Sequence, residues 1–155
     1  MQIDFFVPGV PAPGGSKRAF AIRKGGVLTG RVALVDAGKN NKEWRSLVAM
    51  AAKQAMREAP PTLESLLVGV AFYLPRPKSH YKTGKNAGIL RGDAPPTHTK
   101  TPDALKLARA VEDAMTGIVY MDDAQIVQEH ISKEYSTMPG VFIYVASFPI
   151  KKETA

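Results

Sequence analysis

The chain has no cysteine among its 155 residues, and this absence removes structural disulfides, thiolate-bound zinc and a cysteine nucleophile together. Redox chemistry goes with them. No apolar run approaches the roughly 18 residues that a membrane span needs, and the N-terminus lacks the charged start and apolar stretch of a signal peptide. A cytoplasmic protein with no membrane partner is expected. The chain also has no GxGxxG or Walker loop, no HExxH and no GxSxG, which excludes the common dinucleotide, zincin and serine-hydrolase templates. No small-molecule cofactor is expected. No internal repeat is visible. The three histidines, His80, His98 and His130, are too scattered to argue for a zinc site.

What is present is positive charge. Lys and Arg number 21 against 14 Asp and Glu, giving a net charge of +7 and a pI near 9.7. For a small protein that balance points to a polyanionic partner, nucleic acid before anionic membrane. DNA is the better candidate, because no RNP-like aromatic motif for RNA occurs. The histidines then read as surface or DNA-facing residues. With 45% apolar residues the chain has enough to build one core, so a single domain over residues 1–150 is expected, with a short tail at 151–155.

Along the chain, Gln2 to Val7 is rich in β-formers and ends at a Pro- and Gly-dense segment, reading as a first strand that leaves into a loop. Ser16 to Arg23 and Val27 to Asp36 flank Lys24-Gly25-Gly26, a hairpin signal. Lys17, Arg18, Arg23, Lys24 and Arg31 make this region basic. Asn40 or Asn41 can cap a helix whose apolar stripe runs through Trp44, Leu47, Val48, Ala51, Ala52 and Ala55 and which stops before Pro60-Pro61. Trp44 sits on that stripe as a core residue. Ser65 to Leu74 is nearly all apolar and predicts a central strand covered on both faces. Residues 75–99 form a long basic loop with Arg76, Lys78, Lys82, Lys85 and Arg91, and a loop of about 25 residues inside a small domain is either a binding arm or disordered. An arm that orders on DNA is the better reading. A second helix is expected from about Asp103 to Met115, with Pro102 at its start and Gly117 at its end. Two strands follow, one after Asp123 and one at Val141 to Phe148. The order of elements predicts an α/β (α+β) domain, a mixed β-sheet packed by two main helices.

The chemistry concentrates in Lys100 to Asp123. Asp103 and the pair Asp122-Asp123 bracket a helix that carries cations at Lys106 and Arg109, with Lys100 just upstream. Oxygen ligands from two elements, flanked by cations, suit a hard cation such as Mg²⁺ held against a phosphodiester. Glu112 and Asp113 read as surface or supporting groups.

The order Lys100, Pro102-Asp103, Leu107, Arg109, Asp113-Ala114, Gly117, Tyr120, Asp122-Asp123 and Gln125-Ile126-Val127 resembles the RusA family of Holliday junction resolvases. The run LPRPKSHY and the HTK before Pro102 are similar to phage-type members. The resemblance implies a small α/β homodimeric nuclease of bacteria or their phages, acting in DNA recombination and repair. It also implies an Mg²⁺-dependent acidic site that makes paired incisions across a four-way DNA junction. Asp103, Asp122 and Asp123 correspond to its metal-binding, catalytic acids, and Arg109 stands where a catalytic lysine is usual. Lys100, Lys106, Arg76, Lys78 and Lys82 are then the DNA-binding cations. The family pattern Pro-Asp-x-Asp-Asn-Leu departs here, with Leu105 in the place of the second aspartate. Two readings follow: an endonuclease, impaired at Leu105, or a catalytically silent protein that binds branched DNA.

Overall fold

The computed structural model describes residues 1–14, 17–36 and 40–149, the side chains of 17–20 and 34–36 excepted. The expected tail at 151–155 lies outside these residues. The elements run β1 (Gln2–Pro8), β2 (Lys17–Lys24), β3 (Val27–Asp36), α1 (Asn41–Met56), β4 (Leu66–Leu74), α2 (Ala104–Met115), β5 (Ile126–Tyr135) and β6 (Gly140–Ser147). Four strands make one mixed sheet in the order β1-β6-β4-β5. β4 pairs parallel with β5 and antiparallel with β6, which in turn pairs antiparallel with β1. The expected α+β architecture, a mixed sheet with two main helices, is the one observed.

Alternation along the strands decides which face the helices cover. In β4 the side chains of Leu66, Val68, Val70, Phe72 and Leu74 are buried, and those between them are half-exposed. Each fully buried side chain of this kind contributes about 1.5–3 kcal/mol relative to an exposed one. α1 packs over β1 and α2 over β5, and the two helices touch each other. Trp44, Val48 and Ala52 of α1 meet Leu107, Val111 and Met115 of α2 in that single core. The expectation that β4 is covered on both faces is therefore corrected: it is central, but both helices lie on one side. The other face carries Phe6, Tyr73 and Phe142, with Phe6 and Phe142 well exposed.

Two further expectations change. Neither Asn40 nor Asn41 caps α1 by its side chain. Asn40 occupies the N-cap with φ of 68°, a left-handed conformation without a side-chain cap bond, and the Asn41 amide instead donates to the Pro13 carbonyl at 2.7 Å. The second correction concerns residues 75–99. They remain a loop but carry two short 3-10 turns and are ordered without DNA, and they pack around Tyr135 of β5. The Arg76 guanidinium stacks 4.4 Å from the Tyr135 ring centre, and the His98 and His80 rings lie 4.8 and 5.3 Å from it. His98 is buried, so it is an anchor of the loop and not a DNA-facing residue. Burial, with Lys133 nearby, holds its imidazole pKa below the usual value.

β2 and β3 form a separate two-stranded ribbon. Its Gly25-Gly26 turn has φ of 58° and 82°, the left-handed pair that a two-residue hairpin loop requires. No helix of the described residues is long and apolar enough to cross a membrane.

Candidate active site at the two ends of α2

α2 is 12 residues long, about 18 Å at 1.5 Å per residue, and a cleft opens at each end. The predicted acids divide between them. Asp103 is the N-cap of α2, but its carboxylate makes no capping bond. It points to Lys106, whose Nζ lies 3.4 Å away. Both line a cleft of about 390 Å³ with Thr101, Pro102, Pro13 and Asn40. The chain is fixed there by Lys133 of β5, whose Nζ donates to the carbonyls of Lys100 (2.8 Å) and Pro102 (2.9 Å). Nothing in the sequence signals that role, since 33 and 31 residues separate the partners.

At the other end the chain turns through Gly117 (φ 77°) and returns along β5. Asp122 and Asp123 behave differently there. The Asp122 carboxylate accepts from the Ala124 backbone N–H at 2.8 Å and caps the short turn Asp123–Gln125. Gln125 completes the arrangement. Its side-chain oxygen accepts from the backbone of Met121 and Asp122, and its amide donates to the carbonyls of Thr62 and Glu64. The D-x-x-Q spacing of a capping box was the available signal for this residue. Asp123 instead lines a cleft of about 350 Å³ with Glu112 of α2 and Glu129 of β5. The Glu112 pKa is pushed up to about 8, first by burial, then by its bond to Glu129 and by the charges of Glu129, Asp123 and Asp113. Sequence reading assigned Glu112 a supporting role and missed Glu129, because only the packing of α2 on β5 brings the two together.

Leu105, Arg109 and Glu112 are spaced to share one stripe of α2. Leu105 is 72% exposed, so it contributes little to the core and stands on the solvent side between the two clefts. Arg109 is exposed as well and forms no ion pair among the described residues. Lys100, Lys78 and Lys82 are exposed. Arg76 is half-buried, and besides stacking on Tyr135 it donates to the Pro95 carbonyl at 2.8 Å, so its guanidinium holds the loop together.

The geometry is a cationic helix face running between an aspartate–lysine pair and a crowded acidic corner. A profile of the family described as Endodeoxyribonuclease RusA matches residues 8–146. The chain belongs to the RusA endodeoxyribonuclease family. It is also similar to YqaN, an uncharacterised protein of Bacillus subtilis (strain 168), at 31% identity over 148 residues, which cover 92% of this chain and 94% of YqaN. Members of the RusA family are nucleases that act on branched junction DNA and generally depend on a divalent metal.

Among the described residues no three acidic, histidine or cysteine side chains already stand together as a cage for such a metal. The chemistry of the acidic corner nevertheless fits a hard divalent cation. Its donors are all carboxylate oxygens, the ligand type that such a cation takes. Asp123, Glu112 and Glu129 line the cleft in which such a cation would sit.

Proposed function

We propose that the chain is a metal-dependent endonuclease that resolves four-way DNA junctions as a homodimer, by paired phosphodiester incisions in recombination and repair. The observation that carries this reading is the acidic corner at Asp123, where the Glu112 carboxyl is crowded by Glu129 and Asp123 beside the exposed Arg109 face of α2. Bound Mg²⁺ supplies charge neutralisation at the phosphate and a water of lowered pKa. The chain's own groups do the rest. Asp123 and Glu112 face the reacting region and orient water. Arg109 meets the non-bridging oxygens of the phosphate, and Lys106, Lys100, Lys78 and Lys82 hold the DNA backbone on either side. Asp103, at the far end of the stripe, places a second carboxylate along the same face. A cytoplasmic protein of a bacterial cell or its phage fits this activity.

The homodimer draws on the uncovered face of the sheet. A cross-strand row there runs Asp4, Tyr144, Gly69, His130, with an acid at the β1 edge and a histidine at the β5 edge. A two-fold axis parallel to the strands sets the acid of one copy opposite the histidine of the other, around exposed Phe6 and Phe142. A pair of sites so related matches the near two-fold symmetry of a four-way junction.

A second reading rests on Leu105. A leucine 72% exposed on the site face offers no ligand where the family pattern has an acid. This favours a chain that binds branched DNA by shape and phosphate contacts without cutting it. One experiment separates the two: a synthetic four-way junction with Mg²⁺ is incubated with this chain and with Leu105→Asp. Cutting by both establishes the nuclease. Cutting by the variant alone establishes the silent binder, and no retarded complex with either chain at low salt rejects DNA as the partner.

A further inference from the structure

The β2–β3 ribbon is unexplained by the site described above. It belongs to its own sheet, and among the described residues no other strand or helix packs on it extensively. Residues 21–32 are exposed on both strands, including Val27 at 70%, Val32 at 61% and Leu28 at 57%. An isolated two-stranded ribbon is marginal in water, so this one would gain from a partner surface. Its charge identifies the partner. From Phe5 to Val35 the chain has no acidic residue, while Lys17, Arg18, Arg23, Lys24 and Arg31 all fall within the ribbon. Arg23, Lys24 and Arg31 form no ion pair among the described residues.

Its position identifies the site it serves. The strand that enters the ribbon leaves from Gly14, whose backbone N–H donates to the Lys106 carbonyl of α2 at 2.7 Å. A Cβ at Gly14 would press on the Ala110 backbone at 3.2 Å, tighter than ordinary van der Waals contact, so glycine favours this close approach to α2. The returning strand leads to Asn40, which lines the same cleft as Asp103 and Lys106. The described residues that flank the ribbon, Pro13-Gly14 on one side and Asn40 on the other, therefore stand at the cleft at the N-terminal end of α2. At about 3.4 Å per residue, the eight residues of β2 extend about 27 Å.

We infer that the β2–β3 ribbon is a DNA-clasping arm that lies along a duplex arm of the branched substrate, using Arg23, Lys24 and Arg31 against phosphates while Val27 and Leu28 at the tip pack on the sugar edges. This rests on the DNA-cutting reading above. A second copy of the chain is the lesser fit, because a ribbon of one charge sign offers itself nothing complementary.

The test uses the full chain and a four-way junction with long fluorescent arms, measuring affinity across a salt series for the wild type and for Arg23→Ala/Lys24→Ala/Arg31→Ala. Because Arg23, Lys24 and Arg31 are exposed and form no ion pair among the described residues, the triple variant is expected to keep its thermal midpoint. Its log-affinity against log-salt slope should shrink by about 2 to 3, near 0.9 for each phosphate that the variant no longer neutralises, with affinity at least tenfold weaker at low salt. The exchange Arg23→Lys/Lys24→Arg/Arg31→Lys should bind as the wild type does. Hydroxyl-radical protection of the wild-type complex should extend about eight base pairs further along an arm than that of the alanine variant. Unchanged slope and footprint would overturn the inference while leaving the nuclease reading standing, and a wild type that binds no DNA would sink both. A fall in oligomeric mass with no change in DNA affinity would assign the ribbon to a second copy and also overturn it.

Discussion

The Glu112 carboxyl of α2 and that of Glu129 of β5 line the same acidic cleft, and this pair is the point at which the helix and the edge strand of the sheet meet in charge. A carboxyl whose folded pKa is raised, here from 4.5 to about 8, binds a proton in the folded state that the unfolded chain has already released. The contribution to stability is fully present below the unfolded pKa and is lost as pH rises through the folded one. Without metal the thermal midpoint should fall by several degrees between about pH 5 and pH 8.5. Glu112→Gln should flatten that decline. A wild-type profile that rises over the window would show that the pair is not protonated in the fold.

The elements were legible because their signals are local. Gly25-Gly26 between two β-forming runs fixes the hairpin, the 3.6-residue spacing of Trp44, Val48 and Ala52 fixes α1, and the unbroken apolar run at Leu66 to Leu74 fixes a central strand. The candidate site was legible only in part. Asp123 stood out in the sequence, whereas Glu129 lies on a strand of imperfect alternation and becomes part of the site only through the packing of α2 on β5. The same holds for Lys133, which reaches back to Lys100 and Pro102, and for Tyr135, which collects Arg76, His80 and His98. Uniform apolarity in β4 failed to show that one face is uncovered, because Gly69, Ala71 and Tyr73 count as apolar without needing a helix above them.

Lys133 fastens the segment that delivers Asp103. Two charge-assisted bonds to main-chain carbonyls, at 2.8 and 2.9 Å, disappear in Lys133→Met while the aliphatic stem is kept. The variant should lose about 1–3 kcal/mol in urea unfolding, and amide exchange at Ala104 to Leu107 should quicken ahead of the rest of α2. Cleavage by an active chain should fall through kcat more than through KM, since Asp103 is displaced while the phosphate-binding cations remain. Equal protection of the α2 amides in both proteins would remove the positioning role.

Arg76 and Tyr135 hold the 75–99 loop in its fold. Replacing Tyr135 by Leu removes the ring on which the guanidinium and both imidazoles rest, while a side chain of some bulk still covers the core. The cation–π contact is worth about 0.5–2 kcal/mol, so the global midpoint should move little. Trypsin should cut after the exposed Lys78 and Lys82 markedly faster than in the wild type. An unchanged cleavage pattern would mean that the loop is held by something other than this cluster.

Asp122 and Asp123 are adjacent in sequence but differ in what they touch, so their variants should part company. Asp122 accepts from the Ala124 N–H, and Asp122→Ala removes a cap worth about 0.5–2 kcal/mol. The loss should show as a lower midpoint with partial loss of cutting as the turn loosens. Asp123 makes no such bond and faces Glu112 and Glu129 across the acidic cleft. Asp123→Asn should leave stability unchanged or slightly raised, because one repelling charge beside Glu112 is gone. It should abolish Mg²⁺-dependent cutting by an active chain, and junction affinity should hold or tighten as repulsion of phosphate falls. The Mg²⁺-induced rise in thermal midpoint should also vanish in Asp123→Asn and persist in Asp122→Ala. The reverse pattern would move the metal from Asp123 to its neighbour.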